Sequence, residues 1–110
     1  MKWSIEYYSN EVEETILNLP DGLLARYLRL TDLMLEFGPN LGMPHTKNIK
    51  GSLIELRAKS KEGIARIFYC TKIGNIIIML HVFIKKSQKI PKKELNIAFK
   101  RMKEVKEHEA

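Results

Sequence analysis

The sequence predicts an α+β fold in the order β-α-α-β-β-β-α, and three observations predict it. Polar and apolar residues alternate at the start of the chain and again in later runs, the strand period. Between them, residues 10–37 carry a helical period interrupted once, at Leu19-Pro20-Asp21-Gly22. After Pro91 a helical period returns and lasts nearly to the end. With 110 residues, 45% of them apolar, the chain suits a single domain over 1–110 with a real core.

Each element has its own warrant. Trp3, Ile5 and Tyr7 fall on one side of an extended segment, with Lys2, Ser4 and Glu6 on the other. Ser9 or Asn10 can cap the helix that follows, and Asn10 with Glu13 resembles a capping box. Val12, Ile16, Leu17 and Leu19 give that helix an inward stripe, while Glu11, Glu13 and Glu14 suit the positive end of its dipole. Asp21 is placed to cap a second helix over about 23–36, apolar almost all round and expected to be mostly covered. Gly38-Pro39-Asn40 ends it, and 41–51 reads as loop.

Three strands follow. Ser52–Ala58 alternates, with Ile54 and Leu56 inward. Gly63–Thr71 carries Arg66 within it, and Ile76–Ile84 is a β-branched run that reads as buried on both faces. Short connections make them an antiparallel meander. Pro91, favoured in a first helical turn, opens a basic helix whose apolar face is Leu95, Ala98, Phe99, Met102 and Val105.

Charge narrows the function classes. Residues 1–46 hold three basic and seven acidic side chains, whereas 47–110 hold sixteen and six, so +10 faces −4 along the chain. That asymmetry favours a polyanionic partner, nucleic acid before an anionic membrane surface. No apolar run approaches the roughly 18 residues that span a bilayer, and the first residues lack a signal-peptide pattern. Cys70 is the only cysteine, so a reducing cytoplasm is the expected location. His45, His81 and His108 are scattered and show no metal-ligand spacing, so neither a metal nor a small-molecule cofactor is expected.

Lys50-Gly51-Ser52-Leu53-Ile54-Glu55-Leu56-Arg57, then Gly63-Ile64-Ala65-Arg66-Ile67-Phe68-Tyr69, then 80–94 with its Leu-His-x-Phe-x-Lys-Lys-x-x-Lys-x-Pro-x-x-Glu pattern, form an ordered series. This series resembles the phage-related, HigB-like branch of the RelE/ParE toxin superfamily. The resemblance implies a twisted, mostly antiparallel sheet with a helical hairpin on one face. It also implies a toxin of a type II toxin–antitoxin system that cuts messenger RNA, often in the ribosomal A site, and an antitoxin partner with a helix-turn-helix domain. A ParE-like toxin that acts on DNA gyrase without being an enzyme, and an inactive nucleic-acid-binding module, stand as rivals.

Cleaving RNA without a metal requires removal of a 2′-hydroxyl proton, neutralisation of the phosphate, and protonation of the leaving 5′-oxygen. Arginine grips phosphate oxygens with parallel donors, and a lysine crowded by like charge has its pKa pushed down towards use as a base. Arg57 and Arg66, on neighbouring strands, are assigned to the scissile phosphate, and Lys85 or Lys86 to proton transfer. Lys47, Lys50, Lys89 and Lys92 are expected to hold RNA, with His81 or Phe83 meeting a base or ribose. Plainer readings stand beside these. Arg66 can pair with Glu55, Arg57 can be solvated surface, the two lysines can merely end a strand, His81 can be packed, and Tyr69 is ambiguous. Cys70 reads as core.

Overall fold

The computed structural model describes residues 2–85 and 89–109. The elements are β1 (Ser4–Tyr7), α1 (Asn10–Leu17), α2 (Asp21–Phe37), β2 (Thr46–Lys50), β3 (Leu53–Ser60), β4 (Gly63–Lys72), β5 (Ile76–Lys85) and α3 (Lys92–Glu109). The sheet runs β1-β5-β4-β3-β2. β1 lies parallel to β5, and the other neighbours are antiparallel. The α+β class, the helical hairpin and the mostly antiparallel sheet agree with the sequence reading. One strand is added: Thr46–Lys50, expected as loop, pairs with β3. Its own residues carry little strand signal, and the open edge of β3 supplies the hydrogen bonds that decide it. Lys47 and Lys50 then charge the sheet's outer edge, where they discourage further pairing.

Both faces of the sheet are covered. α1 and α2 pack Val12, Ile16, Leu23, Tyr27, Leu30 and Met34 against Ile54, Leu56, Ile67, Ile77, Met79 and Val82. On the opposite face α3 sets Ala98 and Val105 against Leu53, Phe68, Cys70, Ile78 and Leu80. Cys70 is core, as expected, and burial pushes its thiol up to about 11. Tyr69 belongs to the hairpin face, where its hydroxyl donates to the Pro39 carbonyl.

The caps differ in part from expectation. Ser9 is the N-cap of α1, its hydroxyl accepting from the Val12 amide at 3.2 Å. Asp21 does not cap α2. Glu62, in the β3–β4 turn, instead accepts from the Leu23 amide at 3.2 Å, which ties the hairpin to the sheet. Gly38 closes α2 at φ 99°, where a Cβ would come within 3.2 Å of the Trp3 indole nitrogen. α2 is less covered than its composition suggests. Leu28, Leu33 and Phe37 are exposed, because one sheet face and a short α1 cover only one stripe of it.

A register shift at Phe68/Tyr69 has the largest consequence for the site. Phe68 pairs with His81 and Tyr69 with Met79, so Leu80 is an extra residue in β5. Before it, Ile77 and Met79 face the hairpin; after it, Val82 does. Ile78, Leu80 and Phe83 face α3. This β-bulge re-aims the end of β5, so that His81, Phe83 and Lys85 share a face with Arg66.

Candidate nucleic-acid interface

β3 and β4 place Arg57 and Arg66 directly opposite each other. Strand alternation puts Glu55 on the same face as Arg57, and Lys47 of β2 is paired with Glu55. Glu55 is fully buried and is the hub of the group. One of its oxygens accepts from Arg57 Nε at 2.8 Å, and both accept from Arg66 Nη1 at 3.0 Å. The Glu55 pairing that the sequence allowed for Arg66 is therefore present, and Arg57 shares it. Arg66 is 4% exposed, and its Nε has no hydrogen-bond partner among the described residues. Arg57 is 25% exposed and commits only Nε to Glu55, leaving its two terminal nitrogens without a partner among the described residues.

Lys85 ends β5 opposite Ile64 and is 7% exposed. Burial first, then the Arg66 guanidinium, holds its ammonium below the usual lysine range; Arg57 and Lys47 add repulsion, and Glu55 opposes it. Four cations (Lys47, Arg57, Arg66 and Lys85) thus surround one carboxylate, and the surplus positive charge suits a polyanion.

The other expected site residues fall around this group. His81 is half-buried, with Nε2 2.6 Å from Glu94 Oε1 of α3, and it stacks on Phe83 at 6.1 Å between centroids. Phe83 also leans on Phe68 at 5.7 Å. His81 is thus packed and bonded, the plainer of its two readings, and Phe83 has an aromatic partner on each side. Lys50 is exposed at the end of β2, and Lys89 and Lys92 are exposed around the start of α3. Lys86 lies outside the described residues.

Two side chains that the sequence did not single out complete the picture. Beyond Arg57 the β2 edge ends, and a hollow of about 300 Å³ opens there, lined by Arg26, Pro44, His45, Arg57, Lys59, Ile64 and Arg66. Among the described residues no carboxylate lines it. Arg26 comes from α2, 31 residues before Arg57, and nothing in the spacing joins them. His45 stands two residues before Lys47 in the same loop, the only sequence signal it had. Among the described residues, no group of three or more His, Cys, Asp or Glu is placed to hold a metal ion. No helix among the described residues is long and apolar enough to cross a membrane.

The fold is that of a RelE-like toxin. Among solved structures the chain is similar to one in the crystal structure of the archaeal RelE–RelB complex from Pyrococcus horikoshii OT3. The TM-score is 0.50 with 19% identity, and the match covers 76% of this chain and 96% of that one. The family model described as Phage derived protein Gp49-like (DUF891) matches residues 14–103. The chain belongs to that family, a HigB-like member of the RelE/ParE superfamily. No curated protein matches it.

Proposed function

We propose that the protein is the toxin of a type II toxin–antitoxin pair and an endoribonuclease that cleaves messenger RNA at the ribosome. The observation that carries this reading is the convergence of Arg57, Arg66, Lys85 and Lys47 on one sheet face around a single buried carboxylate. Glu55 holds the two guanidiniums in place, so little ordering cost remains when a phosphate arrives. Arg57 offers its terminal nitrogens to the scissile phosphate. Arg66 supplies charge from behind, and Lys85, with its lowered pKa, serves proton transfer. Lys86 is proposed to share that role. Lys47, Lys50, Lys89 and Lys92 hold flanking phosphates, and Phe83 offers a ring edge to a base or ribose, with His81 supporting it. These groups supply the charge themselves, so the proposed chemistry needs no metal and no cofactor.

The proposed partner is an antitoxin with a helix-turn-helix domain. The similarity to a chain of the RelE–RelB complex supports this reading. The test is primer extension on cellular messages after brief expression of the wild type and of Arg57→Ala. Cuts within reading frames that vanish in the variant are expected. Intact messages with arrested DNA replication would replace this reading with a gyrase-directed, ParE-like one.

A further inference from the structure

We propose that His45 is the general base of this site, a role that rests on the nuclease reading above. The hollow beside Arg57 and Arg66 holds one group of the kind that ordinarily titrates near neutral pH, the His45 imidazole. Its backbone is fixed on both sides. The His45 amide donates to the Gly42 carbonyl at 3.0 Å, and its carbonyl accepts from the Arg57 amide at 2.8 Å. The imidazole is therefore carried by the same strand pairing that carries Arg57. Its ring makes no hydrogen bond to any described residue, although the side chain is only half-exposed. The charged residues that line the hollow with it are Arg26 of α2, Arg57 and Lys59 of β3, and Arg66 of β4, all cationic.

A phosphate drawn into this hollow by Arg57 and Arg26 brings the adjacent ribose to the imidazole. Neutral His45 accepts the 2′-hydroxyl proton as the 2′-oxygen attacks phosphorus. The 2′-O–P bond forms, the P–O5′ bond breaks, and the 5′-oxygen takes a proton from the Lys85 ammonium or from water. The products are a 2′,3′-cyclic phosphate and a 5′-hydroxyl end. The surrounding cations stabilise the charge that develops on the phosphate.

The experiment is single-turnover cleavage of a message bound in programmed ribosomes, followed between pH 5 and 9, for the wild type, His45→Gln and His108→Gln. For His45→Gln we expect a rate lower by about 10²–10⁴-fold, unchanged ribosome affinity, and loss of the acidic limb of the wild-type pH profile. His108, exposed on α3, serves as the control and should leave all three unchanged. A His45→Gln enzyme that keeps both rate and acidic limb overturns the role of His45 and leaves the nuclease reading standing. A wild type that cuts nothing removes the nuclease reading, and the role of His45 with it.

Discussion

Glu55 and Arg57 are neighbours with opposite jobs, and the difference follows from burial. Glu55 is fully buried and neutralises Arg66, which is nearly as deep. Its removal leaves a guanidinium uncompensated in a region of low dielectric. Glu55→Ala is therefore expected to cost about 3–5 kcal/mol in urea unfolding. Arg57→Ala should cost much less, because Arg66 still answers the carboxylate, yet it should abolish cleavage. Equal losses of stability in the two variants would mean that Arg57 is structural. Lys85 adds a pH signature. Its folded-state pKa is lowered, so below the ordinary lysine value the unfolded chain holds this proton more tightly than the folded one. Stability from this group thus rises as pH climbs through the folded pKa towards 10.5. Lys85→Met is expected to flatten that alkaline rise, measured as the urea midpoint between pH 8 and 10.5; an unchanged slope would mean that burial and Arg66 do not act on the ammonium.

At the level of elements, the two helical layers make separate demands. α3 approaches the sheet closely through Ala98, which has no exposed surface. It is also tied there by Arg101, whose Nη1 donates to the Leu80 carbonyl at 2.8 Å and whose guanidinium lies over the Tyr8 ring at 4.8 Å. Ala98→Leu overfills that gap and is expected to cost about 1–3 kcal/mol. Hydrogen exchange should quicken in α3 while α2 stays protected, since α2 rests on the other face. Most of these elements were legible because they follow a simple period, strand or helix, with a recognisable stop. What was not legible has a common cause. β2 forms because β3 offers an edge, the α2 cap comes from Glu62 39 residues away, and the Leu80 bulge leaves no mark in a uniformly apolar run. The bulge matters most: strict alternation through Ile76–Lys85 would put Lys85 on the hairpin face, away from Arg57 and Arg66. The residues of the cluster were named from residue types in order, and the Arg66–Glu55 pair was one of the readings the sequence allowed. The sharing of that carboxylate by Arg57 and the approach of Arg26 and His45 depend on how the segments meet.

Over the whole molecule, the charge asymmetry of the sequence becomes an asymmetry in space. The acidic part of the chain builds β1 and the α1–α2 hairpin on one face; the basic part builds the other four strands and α3, which covers the opposite face. If the proposed function holds, that asymmetry steers a nucleic acid to the sheet edge and α3 side, where Lys47, Lys50 and Arg57 lie, rather than to the acidic outer face of the hairpin. Binding to single-stranded RNA should weaken steeply with salt, because each neutralised phosphate releases counterions. Lys47→Ala and Lys50→Ala should each reduce the slope of log K against log salt by about 0.7. Arg29→Ala, an exposed cation on α2, should leave the slope unchanged. Titrations at several salt concentrations separate two cases that a single affinity cannot. If Arg29 contributes as much to the slope as Lys47, RNA is bound by net charge alone and the sheet-edge cluster has no privileged role. If only the sheet-edge lysines move it, the strand that the sequence concealed is the one that sets the RNA in register with Arg57.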